Sequence, residues 1–293
     1  MADTQNRLAA LLARAEGLLG RLEQHLPPAA DTDWSAHAWR WRSGGFGAQG
    51  RMEAVHRPHA LALSDLCCVD AQRDEIDRNT RQFLAGAGAN NVLLSGARGT
   101  GKSTLVKALF NTYRGHGLRL IEVDKDELVD LPRILALLEG RSERFILYCD
   151  DLSFEAGEGS YKALKAALDG SISAPPDNVL IYATSNRRHL LPELQRENRE
   201  ARVVDGEIHH GESIEEKISL SDRFGLWLSF QPFSQGQYLS VCRHWLTRLG
   251  ADHTDPDVER AALQWALRRG SRSGRTAYQF ARDHAGRQRM VQG

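Results

Sequence analysis

A glycine-rich segment in the first half of the chain combines residue types and spacing that suit phosphate binding. It reads Gly96-Ala97-Arg98-Gly99-Thr100-Gly101-Lys102-Ser103 and is followed by Thr104. Its glycines allow the backbone to fold closely around phosphate oxygens, so that N–H groups and the start of the next helix face the anion. Lys102 can bring a positive charge to the β- and γ-phosphates, and the Ser103 hydroxyl can coordinate Mg²⁺. The segment therefore predicts a binding site for ATP with Mg²⁺.

Two adjacent carboxylates are the second chemical feature of the chain. Asp150 and Asp151 directly follow the apolar run at residues 145–149. A buried parallel strand ends at the sheet edge where ligands bind, so these acids are expected beside the phosphates. Asp150 is predicted to hold Mg²⁺, and Asp151 to orient or deprotonate the water that attacks the γ-phosphate. The pair therefore predicts ATP hydrolysis, with a solvated turn as the alternative interpretation.

Five apolar runs predict the strands that position these residues. The runs lack polar alternation, which is typical of strands covered on both faces in a parallel sheet between helices. The stretches between them, and the chain after Phe233, have helical character. The predicted fold class is α/β with a five-stranded parallel sheet, and its strands are expected at residues 91–95, 118–123, 145–149, 179–183 and 226–230.

This pattern divides the chain into three predicted parts. Residues 61–232 form the nucleotide-binding domain, and residues 233–293 form a smaller helical domain. Residues 1–60 form an extension that starts with an amphipathic helix at residues 1–26. That helix either docks on its own domain or forms a short coiled coil with a partner. Within the central domain, residues 193–217 are charged and are interpreted as an inserted loop or hairpin.

The extension also contains half of the six tryptophans of the chain. Trp39 and Trp41 alternate with Arg40 and Arg42, and Trp34 lies shortly before them. Alternating aromatic and basic residues can stack on the bases of a single strand. They can equally form a strand whose aromatic face packs on the nucleotide-binding domain. We favour packing, because no wider basic patch accompanies them.

Composition limits the classes of function that are open to this protein. Lys plus Arg and Asp plus Glu each number 38, so a global electrostatic case for nucleic-acid binding fails. The four cysteines have no disulfide spacing, and no apolar run reaches the about 18 residues that span a bilayer. We therefore expect a cytoplasmic protein with reduced thiols and no membrane partner. A metal site from His56, His59, Cys67 and Cys68 is not favoured, because adjacent cysteines lack the usual zinc spacing.

The order of these motifs resembles that of AAA+ ATPases. More narrowly, residues 152–154, 183–190 and 219–226 resemble an uncharacterised bacterial AAA+-like family, known mostly as an ATP-binding domain of unknown function. The resemblance covers about residues 61–290 and is strongest from 91 to 230. It implies ATP chemistry and a lid formed by the C-terminal helical domain, but it assigns no biological task.

The resemblance also implies roles for residues outside the two main motifs. Asn186 would be the polar residue that contacts the γ-phosphate or the attacking water, with a strand-end turn as the alternative. Arg223 would be an arginine finger that reaches the nucleotide of a neighbouring copy, which implies a homo-oligomer; the alternative is a salt bridge. Arg275 would be the lid arginine that closes over the nucleotide, with Arg272 as a competing candidate. Val69 would line the adenine pocket.

The resemblance has one departure, because most AAA+ proteins have Glu where this chain has Asp151. The leading hypothesis is ATP hydrolysis that drives remodelling or loading of a protein or nucleic-acid substrate. If the shorter acid makes turnover negligible, the protein would instead be a nucleotide-gated binding or scaffold module. A third hypothesis is a DNA-associated loader, since Asp222-Arg223-Phe224-Gly225 also resembles a segment of bacterial replication initiators.

Overall fold

The computed structural model describes residues 14, 16, 17, 32–44, 50–154, 159–170, 176–186, 202–204, 207–209 and 220–292. The strands are β1 (Ala38–Arg42), β2 (Arg51–Ala54), β3 (Val92–Gly96), β4 (Leu118–Glu122), β5 (Arg144–Cys149), β6 (Val179–Ser185), β7 (Arg202–Val204), β8 (Glu207–His209) and β9 (Leu226–Phe230). The α-helices are α1 (Asp70–Leu84), α2 (Lys102–Tyr113), α3 (Leu131–Leu138), α4 (Gly159–Asp169), α5 (Gln235–Arg248), α6 (Pro256–Arg269) and α7 (Gly274–Gln292). Short 3₁₀ helices occur at Leu63–Asp65, Arg114–His116 and Lys125–Asp130.

Seven strands form one sheet in the order β2-β1-β4-β5-β6-β3-β9. Every neighbouring pair is parallel except β1 with β2. The five predicted strands are all present, as β3, β4, β5, β6 and β9, and they form a continuous parallel block. The sheet has two more strands than predicted, because β1 and β2 from the Trp-rich segment extend it beyond β4.

Helices cover both faces of the sheet, as the unalternating apolar strands predict. Along β5, Phe145 and Leu147 pack in one apolar layer with α3 and α4. Ile146 and Tyr148 pack in the opposite layer with α1 and α2. The side chains of a strand alternate between its faces, so an apolar strand needs a cover on each side. The α/β class is therefore confirmed.

The Trp-rich segment packs in the core, as we favoured. Trp39 is 1% exposed and Trp41 is 0% exposed, and both belong to the layer that contains α3 and α4. The indole N–H of Trp41 donates a hydrogen bond of 2.9 Å to the Asp130 carboxylate. On the other face of β1, Arg40 pairs with Glu122 at 2.7 Å. Burial of both rings leaves neither of them available for stacking on a base.

The C-terminal helices α5–α7 are the predicted lid. Its side chains, such as Tyr238 and Phe280, continue the apolar layer that contains α1 and α2. α5 begins with a capping box, in which Ser234 and Gln237 each accept a hydrogen bond from the backbone N–H of the other. The side chains of α5–α7 therefore pack against one another and also against the sheet. The division of the chain at residues 60 and 233 stays a prediction.

Several sequence predictions fall wholly or partly outside the described residues. In the predicted N-terminal helix, only Arg14, Glu16 and Gly17 are described, and all three are helical. In the charged segment at 193–217, β7 and β8 form an antiparallel pair, as a hairpin requires. All four cysteines are free. In the described ranges, no group of three or more His, Cys, Asp or Glu could hold a metal ion, so the His56 and Cys67 set does not assemble. None of the described helices combines the length and apolarity needed to cross a bilayer.

Candidate functional site

The glycine-rich loop connects the end of β3 to the start of α2. Gly96, Gly99 and Gly101 have positive φ values of 128°, 73° and 103°. A Cβ atom at Gly96 would lie 2.0 Å from the backbone oxygen of Phe230 in β9, which no side chain can tolerate. The loop therefore needs glycine both for its left-handed backbone and for its close approach to the neighbouring strand. This geometry leaves the start of α2 and its free N–H groups at the open end of the loop.

Lys102 begins α2 and is folded over the loop. Its ammonium group donates hydrogen bonds to the backbone oxygens of Gly96 at 2.8 Å and Ala97 at 2.7 Å, and to Oδ1 of Asn186 at 3.1 Å. The residue is only 5% exposed. Burial lowers the pKa of Lys102, although the nearby Asp151 and Asp150 carboxylates oppose this shift. The structure thus places a charged nitrogen where an anion in the loop would meet it.

The other residues of the loop differ in their exposure. Arg98 is exposed, and Thr104 is half-buried on the first turn of α2. Thr100 is 3% exposed, and its hydroxyl donates a hydrogen bond of 2.8 Å to the backbone oxygen of Ala97. Thr100 therefore supports the loop from within, while Arg98 is available to a ligand.

Ser103 and Asp150 lie together, as a shared metal would require. The Ser103 hydroxyl donates a hydrogen bond of 2.8 Å to Oδ1 of Asp150, and the Thr184 hydroxyl donates one of 2.5 Å to the same oxygen. Burial would raise the pKa of Asp150, but these hydrogen bonds, together with Tyr148 and the charge of Lys107, outweigh burial and keep the pKa below its ordinary value. A carboxylate and a hydroxyl oxygen are hard donors that suit Mg²⁺, which usually keeps several water ligands.

Asp151 and Asn186 form the second polar pair of the site. Asp151 has a left-handed backbone with φ of 52°, and its N–H donates a hydrogen bond of 2.9 Å to the Thr184 hydroxyl. Its carboxylate accepts a hydrogen bond from Nδ2 of Asn186. Since the amide oxygen of Asn186 accepts from Lys102, this side chain uses both of its ends. The predicted acid, the predicted amide and the loop lysine are thus brought together.

The lid approaches the loop through the start of α7. The N–H of Gly274 donates a hydrogen bond of 2.7 Å to the backbone oxygen of Gly99. A Cβ atom at Gly99 would lie 2.8 Å from Cβ of Ser273 and 3.6 Å from Cβ of Arg275. Arg275 is exposed beside the loop, whereas Arg272 is not among the atoms nearest to Gly99. Of the two arginines, Arg275 is therefore the nearer to Gly99, while contact of either one with a nucleotide stays a prediction.

Val69 lies immediately before α1, at the side of the loop. It is 4% exposed, and its side chain packs in the apolar layer that includes the lid. Leu66 of the same segment lies 3.0 Å from the position of a Cβ atom on Gly101. The segment therefore borders the phosphate loop, while contact between Val69 and an adenine ring stays a prediction.

Arg223 is not brought together with the other predicted site residues. It precedes β9, whereas Gly96 pairs with Phe230 at the far end of that strand. At a rise of about 3.3 Å per residue, the length of β9 alone corresponds to about 13 Å. Arg223 forms an ion pair with Asp169 at the end of α4. The salt-bridge alternative is therefore realised in this chain, and Arg223 does not reach the chain's own loop.

Sequence reasoning missed Thr184, which contacts both acids. It is 1% exposed and lies two residues before Asn186 on β6. The parallel register sets Cys149 beside Ala183, so the residues that follow each of them are neighbours as well. Alignment of the predicted ends of β5 and β6 would have placed Thr184 beside Asp150, and this was the signal that could have identified it.

Comparison with known proteins supports the architecture. The model of the family described as "Protein of unknown function (DUF815)" matches residues 34–288. Two variants of RuvB from Thermotoga maritima have TM-scores of 0.52 and 0.51 with this chain, each at 14% identity and covering 75% of it. ORC1 from Aeropyrum pernix, in complex with DNA, has a TM-score of 0.51 at 16% identity and covers 73% of this chain.

These structural likenesses concern the fold alone, because the identities are low. The match covers 64% and 63% of the two RuvB chains and 58% of ORC1, which is less than two thirds of each. RuvB and ORC1 have the AAA+ fold, and this chain shares it. The search among curated proteins gave no match.

Proposed function

Since the chain belongs to the family described as "Protein of unknown function (DUF815)" and has the AAA+ fold, we propose that it binds ATP with Mg²⁺ and hydrolyses the ATP. The observation that carries this proposal is the convergence of five side chains at one end of the sheet. Asn186 is hydrogen-bonded to Lys102 and Asp151, and Ser103 is hydrogen-bonded to Asp150. Thr184 links these two groups through its bonds to both acids. The five side chains come from the loop after β3 and from the ends of β5 and β6, so only the folded sheet assembles them.

In this proposal the loop residues hold the triphosphate. Backbone N–H groups of residues 98–103 face the phosphate oxygens, since the N–H of Ala97 is already bonded to Phe230. Lys102 exchanges its bonds to Gly96 and Ala97 for bonds to phosphate. Ser103 and Asp150 hold Mg²⁺, directly or through water. The ion supplies charge neutralisation at the phosphates when it is bound. Arg275 and the segment around Val69 contact the nucleotide from the lid side and the α1 side.

In this proposal, Asp151 and Asn186 are the residues that act on the attacking water during ATP hydrolysis. The Asp151 carboxylate accepts a hydrogen bond from a water molecule and orients this water toward the γ-phosphorus. Alternatively, the carboxylate takes a proton from the water as the water oxygen bonds to the γ-phosphorus and the bond from this phosphorus to ADP breaks. Asn186 contacts the same carboxylate and Lys102, so its amide can hold both the water and a phosphate oxygen. The shorter side chain of Asp151 still reaches Asn186. This contact favours hydrolysis over a purely nucleotide-gated scaffold.

The full task that we propose needs more than one copy of the chain. Arg223 is remote from its own loop, so any nucleotide that it contacts belongs to a neighbouring copy in a homo-oligomer. Hydrolysis would then drive remodelling or loading of a protein or nucleic acid. DNA is the second candidate partner, because one similar structure is of ORC1 in complex with DNA. A DNA-binding titration across salt concentrations tests it, since phosphate contacts produce a steep loss of affinity with salt.

Steady-state phosphate release with ATP and Mg²⁺ tests the hydrolysis. Wild type is expected to release phosphate, and Asp151→Asn is expected to bind ATP about equally but to turn it over far more slowly. Asp257→Asn is the matched control, because this acid is exposed on α6 and pairs only locally with Arg260 in the contacts described. Nucleotide binding without turnover in wild type would support the scaffold hypothesis, and absence of both would remove the proposal.

A further inference from the structure

Thr184 makes a pair of hydrogen bonds that link the two acids. Its hydroxyl donates to Oδ1 of Asp150 at 2.5 Å and accepts from the N–H of Asp151 at 2.9 Å. The two roles are fixed, because a carboxylate can only accept and a backbone N–H can only donate. The side chain is 1% exposed, so water does not compete easily for either bond. A single oxygen atom therefore determines contacts of both acids.

The backbone around this hydroxyl ties the turn after β5 to β6. The N–H of Leu152 donates to the backbone oxygen of Thr184 at 2.7 Å, and the Ser185 hydroxyl donates to the backbone oxygen of Leu152 at 2.7 Å. Asp151 immediately precedes Leu152 and has φ of 52°. A left-handed conformation is unfavourable for a residue with a side chain and persists only where its surroundings hold it. The bond from Asp151 N–H to Thr184 is one of the contacts that hold it.

We propose that Thr184 is a positioning residue for the acid pair, which fixes Asp150 beside Ser103 and holds Asp151 in the left-handed conformation that directs its carboxylate to Asn186. This inference rests on the proposed ATP hydrolysis at the same site. It accounts for the short acid, because the direction of the Asp151 backbone brings an aspartate to the Asn186 amide. Thr184 acts through Asp150 and Asp151 and touches neither water nor phosphate itself.

A pair of substitutions separates the hydroxyl from the packing of Thr184. Thr184→Val keeps the branched shape and removes the oxygen, whereas Thr184→Ser keeps the oxygen and removes a methyl group. Thr184→Val is expected to lower kcat about 100-fold, as a misplacement of about 1 Å does, with little change in ATP affinity in the absence of Mg²⁺. Thr184→Ser is expected to stay within a few fold of wild type in kcat and KM. If serine behaves like valine, packing rather than the hydroxyl matters and the inference is overturned.

Amide hydrogen exchange at Asp151 provides a readout that needs no nucleotide. The Asp151 N–H is expected to exchange at least about tenfold faster in Thr184→Val than in wild type or Thr184→Ser. Thr184→Ala, which also lacks the oxygen, replaces the valine variant if that one does not fold. Equal protection of Asp151 with and without the hydroxyl would refute the positioning role. If exchange follows the hydroxyl but wild type hydrolyses no ATP, the proposed function fails while the link between Thr184 and Asp151 stands.

Discussion

The ammonium group of Lys102 lies 3.1 Å from Oδ1 of Asn186, which joins the phosphate loop to the end of β6. The Nδ2 amide group of the same Asn186 donates a hydrogen bond to the carboxylate of Asp151. The residue expected to hold phosphate and the residue expected to act on water are therefore connected through one side chain. A substitution at Lys102 or at Asp151 is therefore expected to affect the other residue through Asn186. For this reason, ATP binding and ATP turnover should be measured separately for each variant.

Lys102→Met should abolish most of the ATP affinity and leave the fold intact. Methionine keeps the unbranched shape of the buried side chain but removes the charge that faces the phosphates. Wild type should gain about 4 kcal/mol in unfolding free energy at a thousandfold excess of ATP–Mg²⁺ over its dissociation constant. The variant should gain little, whereas Lys162→Met, a control on the exposed side of α4, should behave like wild type. An equal gain in wild type and Lys102→Met would contradict the assignment.

Asp151→Glu should slow hydrolysis, even though glutamate is the usual acid at this position in AAA+ proteins. The Asp151 carboxylate is already in hydrogen-bond contact with Asn186, so an added methylene displaces it from that amide. We expect at least about a tenfold lower kcat with ATP affinity nearly unchanged, measured by phosphate release and nucleotide titration. A glutamate variant faster than wild type would show that the left-handed backbone at Asp151 does not compensate for the short side chain.

Arg275→Ala should weaken ATP binding more than Arg272→Ala. Cβ of Arg275 is near Gly99, and a bond from a guanidinium to phosphate contributes about 1.5–3 kcal/mol. We therefore expect at least about a tenfold loss of affinity for Arg275→Ala by calorimetric titration. Arg272→Ala provides the matched control, since it removes the same charge three residues earlier in the same exposed stretch. Equal losses in the two variants would indicate a general charge effect instead of a contact.

Mixing two inactive variants tests whether Arg223 acts in a neighbouring copy. If Arg223 is an arginine finger, Arg223→Ala should lower the rate of ATP hydrolysis by a factor of about 10³–10⁵. A subunit with Arg223→Ala keeps its own Asp151, and a neighbour with Asp151→Asn can donate an arginine to it. Mixed oligomers should therefore recover part of the phosphate release that each variant lacks alone.

The ion pair between Arg223 and Asp169 supplies the control for this experiment. If Arg223 serves only as the partner of Asp169, Asp169→Asn should reproduce the loss caused by Arg223→Ala. If Arg223 is a finger, Asp169→Asn should keep substantial activity, because the substitution leaves the guanidinium group in place to contact the nucleotide of a neighbour. Co-assembly without recovery of activity would remove the proposal that the finger acts in trans.

The phosphate loop could be predicted from sequence because its parts are contiguous. Lys102 and Ser103 follow the glycines directly, so local order determines their geometry. The apolar runs likewise predicted the five strands of the parallel block, since strands covered on both faces need no polar alternation. Asp150 and Asp151 could be placed because the end of a parallel strand has a known relation to the ligand edge.

The features that sequence missed depend on pairing between distant segments. Thr184 contacts the acids because β6 lies beside β5 in a particular register, which no local pattern encodes. The position of β1 next to β4 has the same origin, as it follows from burial of Trp39 and Trp41 against α3 and α4. The pairing of Arg223 with Asp169 joins residues 54 positions apart in the chain. Each of these contacts depends on the tertiary structure and not on the local sequence.

The phosphate loop is bonded both to the last residue of β9, which leads into the lid, and to the start of α7, and these two contacts couple the loop to the lid. On one side, the N–H of Ala97 is bonded to the backbone oxygen of Phe230, which is followed within five residues by α5. On the other, Gly99 accepts the bond from Gly274 at the start of α7. Residues 231–234 connect β9 to α5, and the start of α7 contacts the loop at Gly99. A displacement of α7 away from the sheet would therefore have to break the bond from Gly274 to Gly99 or change the shape of the loop, so the position of α7 and the conformation of the loop are not independent.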